Sequence, residues 1–564
     1  MGYEERPEQS LLRQFGGMNT TDGELGLPLG DSPSLENVDL HPAGSIQKRK
    51  GIAALASPTG VTKIDAVMRL NQPEQSRGWL YVIGNNTIYR VPEPGTWTWQ
   101  TPTHASSYTL TSQKVYGRQQ SRYNTGSVEH PSVLYLPRAN GVPLIALGQT
   151  SATNDLISHP TGAYGSGTPG SGTPGSPVTD SAIGSVAWGS NHYPRFMRLI
   201  ALGRGARMHA WGFADDPSRV DYSEMDVPWN YLRSDVDDPA ATAQPEIDGG
   251  FYYARRGDGD AVTAVVDMFA YTVVFKLRST LIYTGDPGSE DWRLQAEFPV
   301  GCVSDRAWAK VGNDLMFWSE DGPRALSAVQ EYGDLAQSQL ALKIIDDAVN
   351  VVPDSYERIC CYHDVRNMRV VWFVPQAGAA HCDAGFVYYY STGRWAKWDG
   401  ARCEMMDVAV VKPTNINSER IIGGSYDNGV VLHDSAYADI SADVNGEYIT
   451  DWIRFGEVSD STRALWLDVY YGEGGANVDI YYQTDLTDDW HALSRVVRSY
   501  GNTGTTWGNF TWGNAAWGVT GRSHRAWELD TIFRMIRLKF VKSGTGAFEV
   551  MGYRLEARRK GARA

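Results

Sequence analysis

From about Gly60 to Gly456 the sequence repeats one kind of segment for some 400 residues. Short runs rich in Val, Ile, Tyr, Phe and Trp are closed by Gly, Pro, Asn or Asp. Examples are GWLYVIGNNTIYRVPEPG, SVLYLPRANGVPLIALG, TVVFKLRSTLIYTGDPG and RVVWFVPQAG. Such runs read as strands between turns, and 59 glycines and 27 prolines supply the turns. Helical periodicity is nearly absent. The best helix candidate is DLAQSQLALKIIDDAVN, with Asp334 as N-cap and Leu340, Ile344, Ile345 and Val349 on one side. A β-sandwich is complete within roughly 100 residues, so strand and turn on this scale need an architecture that repeats radially. A β-propeller does so with blades of about 40–50 residues, which predicts six to eight irregular blades.

Both flanks differ from this body. Residues 1–54 form a succession of turns and short extended pieces that cannot bury a core alone, and they read as an N-terminal extended arm lying on the body or on a neighbouring subunit. Residues 55–456 are the propeller body. It carries GAYGSGTPGSGTPGSPVTD (162–180), whose repeated GSGTP and lack of core-forming residues read as a flexible insert. Residues 457–564 contain ALWLDVYYG, VDIYYQT, MIRLKFV and AFEVMGYRLEARR, the strands of a C-terminal β-sandwich-like domain. Inside it, TTWGNFTWGNAAWG spaces Trp507, Trp512 and Trp517 five apart, a period of neither helix nor strand. We read these rings as packing or subunit-interface residues, with Gly letting the chain turn beside each one.

Composition narrows the function classes. Hydrophobic residues make up 42% and charged residues 21%, which places the chain among globular proteins. No apolar run is long enough for a membrane span, so no stable membrane insertion is expected. The acidic, polar N-terminus lacks the pattern of a signal peptide, and synthesis in a cytoplasm is expected. Cys302, Cys360, Cys361, Cys382 and Cys403 are odd in number and have no CxxC spacing, so they read as buried free thiols. A net charge of −14 opposes tight nucleic-acid binding, which needs clustered Lys and Arg, but not the passage of DNA that must slide without sticking. The last residues, RLEARRKGARA, are locally basic and read as a solvated tail or a docking element.

No catalytic signature appears: no GxSxG, HExxH, P-loop or Rossmann fingerprint, and no His or Cys at metal-ligand spacing. We therefore expect no enzyme, cofactor or metal. Ser425, Asp427 and Gly429 in SYDNGVVL resemble the Asp-box turn of sialidase-type propellers, a structural turn. SEDGPRAL and RGDGDAV read as hairpin turns, and neither has the ligand spacing of an EF-hand. Trp395, Trp398 and Asp399 in RWAKWDG read as a Trp pair closing a blade rather than a sugar platform. The abundance of Trp and Tyr keeps a second class open: a carbohydrate-binding or glycan-degrading propeller, which needs paired carboxylates across a cleft.

Taken in order, several segments resemble the tail nozzle of short-tailed phages, also called tail tubular protein B. The arm FGGMNTTDGELGLPLGDSPSLENVDLHPAGSIQKRKG has a Phe-Gly-Gly-x-Asn start, a central Asn-Val-Asp and a Lys-Arg-x-Gly close. HAWGFADDPSRVDYSEMDVPWNY, GDGDAVTAVVDMFAYTVVFKLRSTLIYTG, GCVSDRAWAKVGNDLMFWSEDGPRAL, FVYYYSTGRWAKWDG and IIGGSYDNGVVLHD continue the series, from about Phe15 to Phe455. The resemblance implies a virion protein forming a homohexameric ring below a head-to-tail adaptor, bearing fibres or spikes and leaving an axial channel for DNA. The contact residues expected on this basis are Phe15, Asn37, Asp39, Lys48, Arg49 and Lys50 of the arm, the three tryptophans, and Arg558, Arg559 and Lys560 of the tail.

Overall fold

The computed structural model describes residues 8–12, 14–23, 25–72, 77–93, 97–103, 120–124, 129–138, 141–147, 152, 155–158, 192–202, 205–226, 228, 231, 248–327, 340–411, 419–440, 442–456, 461–472, 478–493, 496–500, 523–544 and 546–559. Among them the chain is mainly β. It forms an irregular propeller, a C-terminal sandwich and an arm threaded through both.

The described residues form seven blades, each an antiparallel sheet whose strands are consecutive in sequence except in blade 7. Blade 1 is Ala66–Gln72, Arg77–Gly84 and Thr87–Glu93. Blade 2 is Gln120–Asn124, Glu129–Arg138, Gly141–Ala146 and Leu156–Ser158. Blade 3 is Phe196–Leu202, Gly205–Trp211, Arg219–Tyr222 and Gly250–Tyr253. Blade 4 is Val262–Met268, Tyr271–Lys276, Thr280–Thr284 and Arg293–Phe298. Blade 5 is Trp308–Val311, Asp314–Ser319 and Gly322–Ala325. Blade 6 is Cys360–Asp364, Arg369–Val374, Ala384–Tyr389 and Arg394–Trp398. Blade 7 is Met405–Val411, Arg420–Ser425 and Val430–His433, and its fourth strand is Ile52–Ala54 from the arm.

Strands of neighbouring blades touch between blades 1 and 2, 2 and 3, 3 and 4, 5 and 6, and 6 and 7, and the Met405–Val411 strand of blade 7 meets the Ala66–Gln72 strand of blade 1; between blades 4 and 5 the Phe275 and Phe317 rings meet at 4.9 Å. Polar ties reinforce the seams. Asp407 accepts from the Val67 amide at 2.9 Å, which joins blades 7 and 1. Lys310 of blade 5 pairs with Asp267 of blade 4 at 3.3 Å. Between blades 1 and 2, Arg90 and Asp155 form a fully buried pair at 2.9 Å, and Tyr81 donates to the same carboxylate. Closing the ring with a strand from the opposite end of the body gives the propeller no free last blade edge there.

The sandwich has two sheets. One is built on Thr462–Tyr471, Ser523–Phe533 and Glu549–Arg559; the other on Gly446–Ile449, Asp479–Thr484 and Met535–Lys542. The strands Gly446–Ile449 and Ile453–Arg454, which precede residue 457, pair with Met535–Lys542 inside the sandwich. The arm enters both bodies. Val38–Leu40 and Ile46–Lys48 extend the first sandwich sheet. Ser34–Glu36 lies between the Arg394–Trp398 strand of blade 6 and Gly446–Ile449, so one ten-stranded sheet runs from propeller into sandwich. All five cysteines are buried and free.

Several local expectations are corrected. The helix candidate is a 3-10 turn over Leu340–Ile344 followed by one α-turn over Ile345–Ala348; its buried side is Ala341, Ile344 and Ala348, and Val349 is exposed. Its N-cap Asp334 lies outside the described residues, as does the 162–180 insert. RGDGDAV is a crossover between blades 3 and 4 rather than a hairpin turn. Asp260 there accepts from the Leu277 and Arg278 amides, fastening the crossover to the neighbouring hairpin. The Ser425–Gly429 segment is a hairpin turn, with the Gly429 carbonyl accepting from the Ser425 amide at 2.8 Å and Gly429 at φ +67°. Ser319 and Gly322 close an equivalent turn in blade 5.

Candidate functional site: the arm clasp

The arm begins with an anchor. Phe15 is fully buried in the sandwich, edge-on to Tyr448 at 5.1 Å and to Phe540 at 6.0 Å. Gly16 and Gly17 follow because nothing larger fits. A Cβ on Gly16 would stand 2.3 Å from the Asp31 carboxylate, and one on Gly17 would stand 2.7 Å from the Trp395 nitrogen. The Met18 amide then donates to the Trp395 carbonyl at 2.8 Å, which seats the arm on blade 6.

Asn37 turns the arm between two strands at φ +54°, a left-handed conformation that Asn tolerates better than most residues. Its side chain is fully used. Oδ1 accepts from Arg49 Nε at 2.6 Å and from the Asp399 amide at 3.0 Å, while Nδ2 donates to the Asp399 carboxylate and to the Asn445 carbonyl. Arg49 uses every donor of its guanidinium. Besides Asn37, it holds Asp439 bidentately at 3.0 and 2.7 Å and donates to the Lys50 and Asp399 carbonyls. Both members of that ion pair are buried. This fork-on-fork geometry is the strong form of such a pair.

Beside it stand two more buried arginines. Arg369 reaches Asp364 at 2.8 Å, Asp39 at 2.9 Å and Asp434 at 3.1 Å. Arg402 pairs with Asp434 at 2.7 Å, donates to the Lys50 carbonyl and lies 4.1 Å over the Trp398 ring. Asp39 also accepts from Tyr389 and from the Trp398 indole. The cluster thus alternates three arginines with Asp39, Asp364, Asp434 and Asp439. Burial alone would raise the pKa of Asp434, but Arg402 and Arg369 outweigh it and hold the carboxyl well below its usual range. Burial raises the Tyr389 phenol, and the Asp39 charge raises it further.

The residues expected to make contacts therefore fall into three groups. Phe15, Asn37, Asp39, Lys48 and Arg49 are used within the chain. Lys48 is buried and donates to the Gly544 carbonyl, and burial followed by Lys542 brings its ammonium down to about 8. Lys50, Arg558 and Arg559 are exposed, the last two ending the Glu549–Arg559 strand. Trp507, Trp512, Trp517 and Lys560 lie outside the described residues. Sequence reading missed Arg369, Arg402, Asp434 and Asp439, because nothing in the pattern distinguishes a buried arginine from a solvated one. Trp395 and Trp398 are buried in the last strand of blade 6, next to the arm.

The propeller also holds a cavity of about 520 Å³ where blades 3 and 4 meet the approaches to blades 5 and 6. Phe196, Phe213, Pro217, Val262 and Val303 form part of its apolar wall, and Arg195 and Glu357 pair at 3.5 Å at its rim. Among the described residues no cluster of His, Cys, Asp or Glu is placed to hold a metal ion.

No protein-family model matches the sequence, and no curated protein matches it. Solved structures give distant likenesses. The AfRom2 CNH domain aligns over 68% of this chain and 99% of its own, at 9% identity and a TM-score of 0.35. An exo-β-1,3-galactanase from Phanerochaete chrysosporium, solved with galactose, aligns over 90% of this chain and 100% of its own, at 8% identity and a TM-score of 0.26. Likenesses this remote carry no argument about what the chain does.

Proposed function

We propose that the chain is a virion structural protein, the tail nozzle of a short-tailed phage, which assembles as a ring below the head-to-tail adaptor and forms a channel for DNA ejection. The observation that carries this reading is the clasp. The arm motif on which the resemblance rests, from Phe15 through Asn37 and Asp39 to Arg49, is devoted to locking propeller and sandwich into one body. A conduit subunit needs that rigidity. A net charge of −14 also gives passing phosphates little to grip. The carbohydrate reading gains less support. The two acidic residues lining the cavity, Asp305 and Glu357, are each paired with an arginine, Arg198 at 3.3 Å and Arg195 at 3.5 Å.

The test is direct. Cryo-EM and mass spectrometry of virions from a genome encoding this chain should find it as a ring between adaptor and tail tip. Its absence from particles, or its presence only as an isolated peripheral copy, sinks the proposal. Cleavage of a polysaccharide by the purified chain would favour the alternative.

A further inference from the structure

Two carboxylates flank one histidine where the chain enters blade 3. Nδ1 of His192 lies 2.8 and 3.0 Å from the two oxygens of Asp215, and Nε2 lies 3.6 Å from the Asp221 carboxylate. The ring is stacked on Phe213, with centroids 4.0 Å apart and planes 5° from parallel. Only 13% of the His192 side chain is exposed. A neutral imidazole has one N–H and one lone pair. In either tautomer the lone pair would face one of the carboxylates. The imidazolium, with an N–H at each nitrogen, suits both.

Among the described residues, the charged groups facing the ring are Asp215 from the loop after Trp211, and Asp221 and Arg219 from the Arg219–Tyr222 strand. Asp221 is fully buried and is shared with Arg219 at 2.6 Å. Burial lowers the imidazole pKa, but hydrogen bonding and charge from Asp221 and Asp215 outweigh burial and the opposing Arg219, so the native value stands above the ordinary one.

The segment that His192 grips is a wall of the 520 Å³ cavity. Gly212, at φ +78°, turns the chain out of the Gly205–Trp211 strand, and Gly212, Phe213, Ala214 and Pro217 all line the cavity. Backbone bonds fix both ends of this loop: the Trp211 carbonyl accepts from the Arg195 amide at 3.0 Å, and the Pro217 carbonyl accepts from the Val262 amide at 2.9 Å. Between those ends, Asp216 holds Ser218 at 3.1 Å and Arg256 at 3.9 Å, while Phe213 and Asp215 are held by His192.

We infer that His192 is a pH-sensitive latch: as the imidazolium it clamps the 212–217 loop to the Arg219–Tyr222 strand, and its deprotonation loosens that wall of the cavity. Because the native imidazole is harder to deprotonate than the unfolded one, the clamp is at full strength below the ordinary value of 6.5 and is lost as pH rises through the higher native value. The inference is independent of the nozzle reading.

Hydrogen exchange read by mass spectrometry on the full chain tests it, from about pH 6 to about pH 9, the range in which a histidine of raised pKa titrates. Exchange at the imidazole C2 position gives the His192 midpoint. Amide exchange in residues 212–216, corrected for its intrinsic pH dependence, gives the opening of the loop. The His192 midpoint should lie above 6.5, and the loop should lose protection around that same midpoint, by about tenfold for each pH unit between it and 6.5. His192→Gln should leave the loop at the weak, alkaline level of protection throughout. His192→Arg keeps a fixed charge and should hold the loop protected even at the alkaline end. Asp215→Asn removes one carboxylate charge and should lower the midpoint. The inference is overturned by a midpoint at or below 6.5, by loop protection that does not follow the midpoint, by a wild-type pH dependence surviving in His192→Gln, or by identical behaviour of the Gln and Arg variants. Should the His192 variants fail to fold, the wild-type midpoint and its response to Asp215→Asn still decide the matter, and an unmoved midpoint overturns the latch.

Discussion

At the scale of single residues, the arm is held by charge placed where water is absent. Removing one partner of a buried pair leaves the other unpartnered and costs about 3–5 kcal/mol, whereas replacing both by apolar groups costs much less. Arg49→Met should therefore lower unfolding free energy by about that amount, while Arg49→Met with Asp439→Leu should recover part of the loss. Denaturant titration of the three chains decides it; a single variant within about 1 kcal/mol of wild type would mean that the pair contributes little. Asp451 offers a pH signature. Burial pushes its carboxyl up to about 6, more than the Gly30 amide lowers it. The native state then holds a proton that the unfolded chain has released, so its stabilising contribution is full below about pH 4 and is lost as pH rises through 6. Asp451→Asn should stabilise the protein at pH 7.5, by up to about 3 kcal/mol for a shift of two units, and should lose that advantage near pH 4. Equal effects at both pH values would contradict this account.

At the scale of elements, the arm behaves as five short strands: Val38–Leu40 and Ile46–Lys48 pair with each other, and every sheet the arm joins is completed by strands from far along the chain. Gly51 shows how close the fit is. A Cβ there would lie 2.0 Å from the Ala438 carbonyl oxygen, just before the strand that completes blade 7. Gly51→Ala should cost about 3 kcal/mol, the upper end of ordinary substitutions, and thermal melting should show it as a clear drop; an unchanged melting temperature would mean the backbones separate freely. The blade strands were legible because their signal is local. Asn85 and Asn86 at φ +50° and +58° make the tight turn of GWLYVIGNNTIYRV, as an Asn-Asn pair between alternating strands suggests. The arm was not, because strands of three residues carry no periodicity, and the pairing of Ser34–Glu36 with Gly446–Ile449 spans more than 400 positions. Likewise Asn37, Asp39 and Arg49 stand out as a motif, yet the partners that give them meaning, Asp434 and Asp439, are invisible until the fold brings them in. Asp260 reads as part of a hairpin turn but lies in a crossover between blades, and its carboxylate fastens the turn of another hairpin instead.

At the scale of the whole molecule, the cores are unequal, and this sets how the body should open. One continuous core joins blades 4 to 6, part of blade 7, the arm and both sheets of the sandwich, from Val266 and Phe317 through Trp372 and Phe15 to Phe540 and Leu555. Blades 1 to 3 are built on smaller separate cores, such as that of Leu70, Tyr81, Leu136 and Leu144, and meet the rest chiefly at the seams. Local opening is easier where fewer apolar contacts must be broken. Hydrogen exchange should therefore be slowest in the sheet that runs through Arg369–Val374, Ser34–Glu36 and Met535–Lys542, and faster in blades 1 and 2. The clasp makes a sharper prediction. With Arg49→Met, the slow protection of blade 6 and of the sandwich should fall together, because the arm strand between them is the element released, while blade 2 should keep its wild-type rates. If blade 6 and the sandwich instead lose protection independently, the shared sheet is not a cooperative unit, and the rigidity on which the conduit reading relies has to come from contacts with neighbouring subunits.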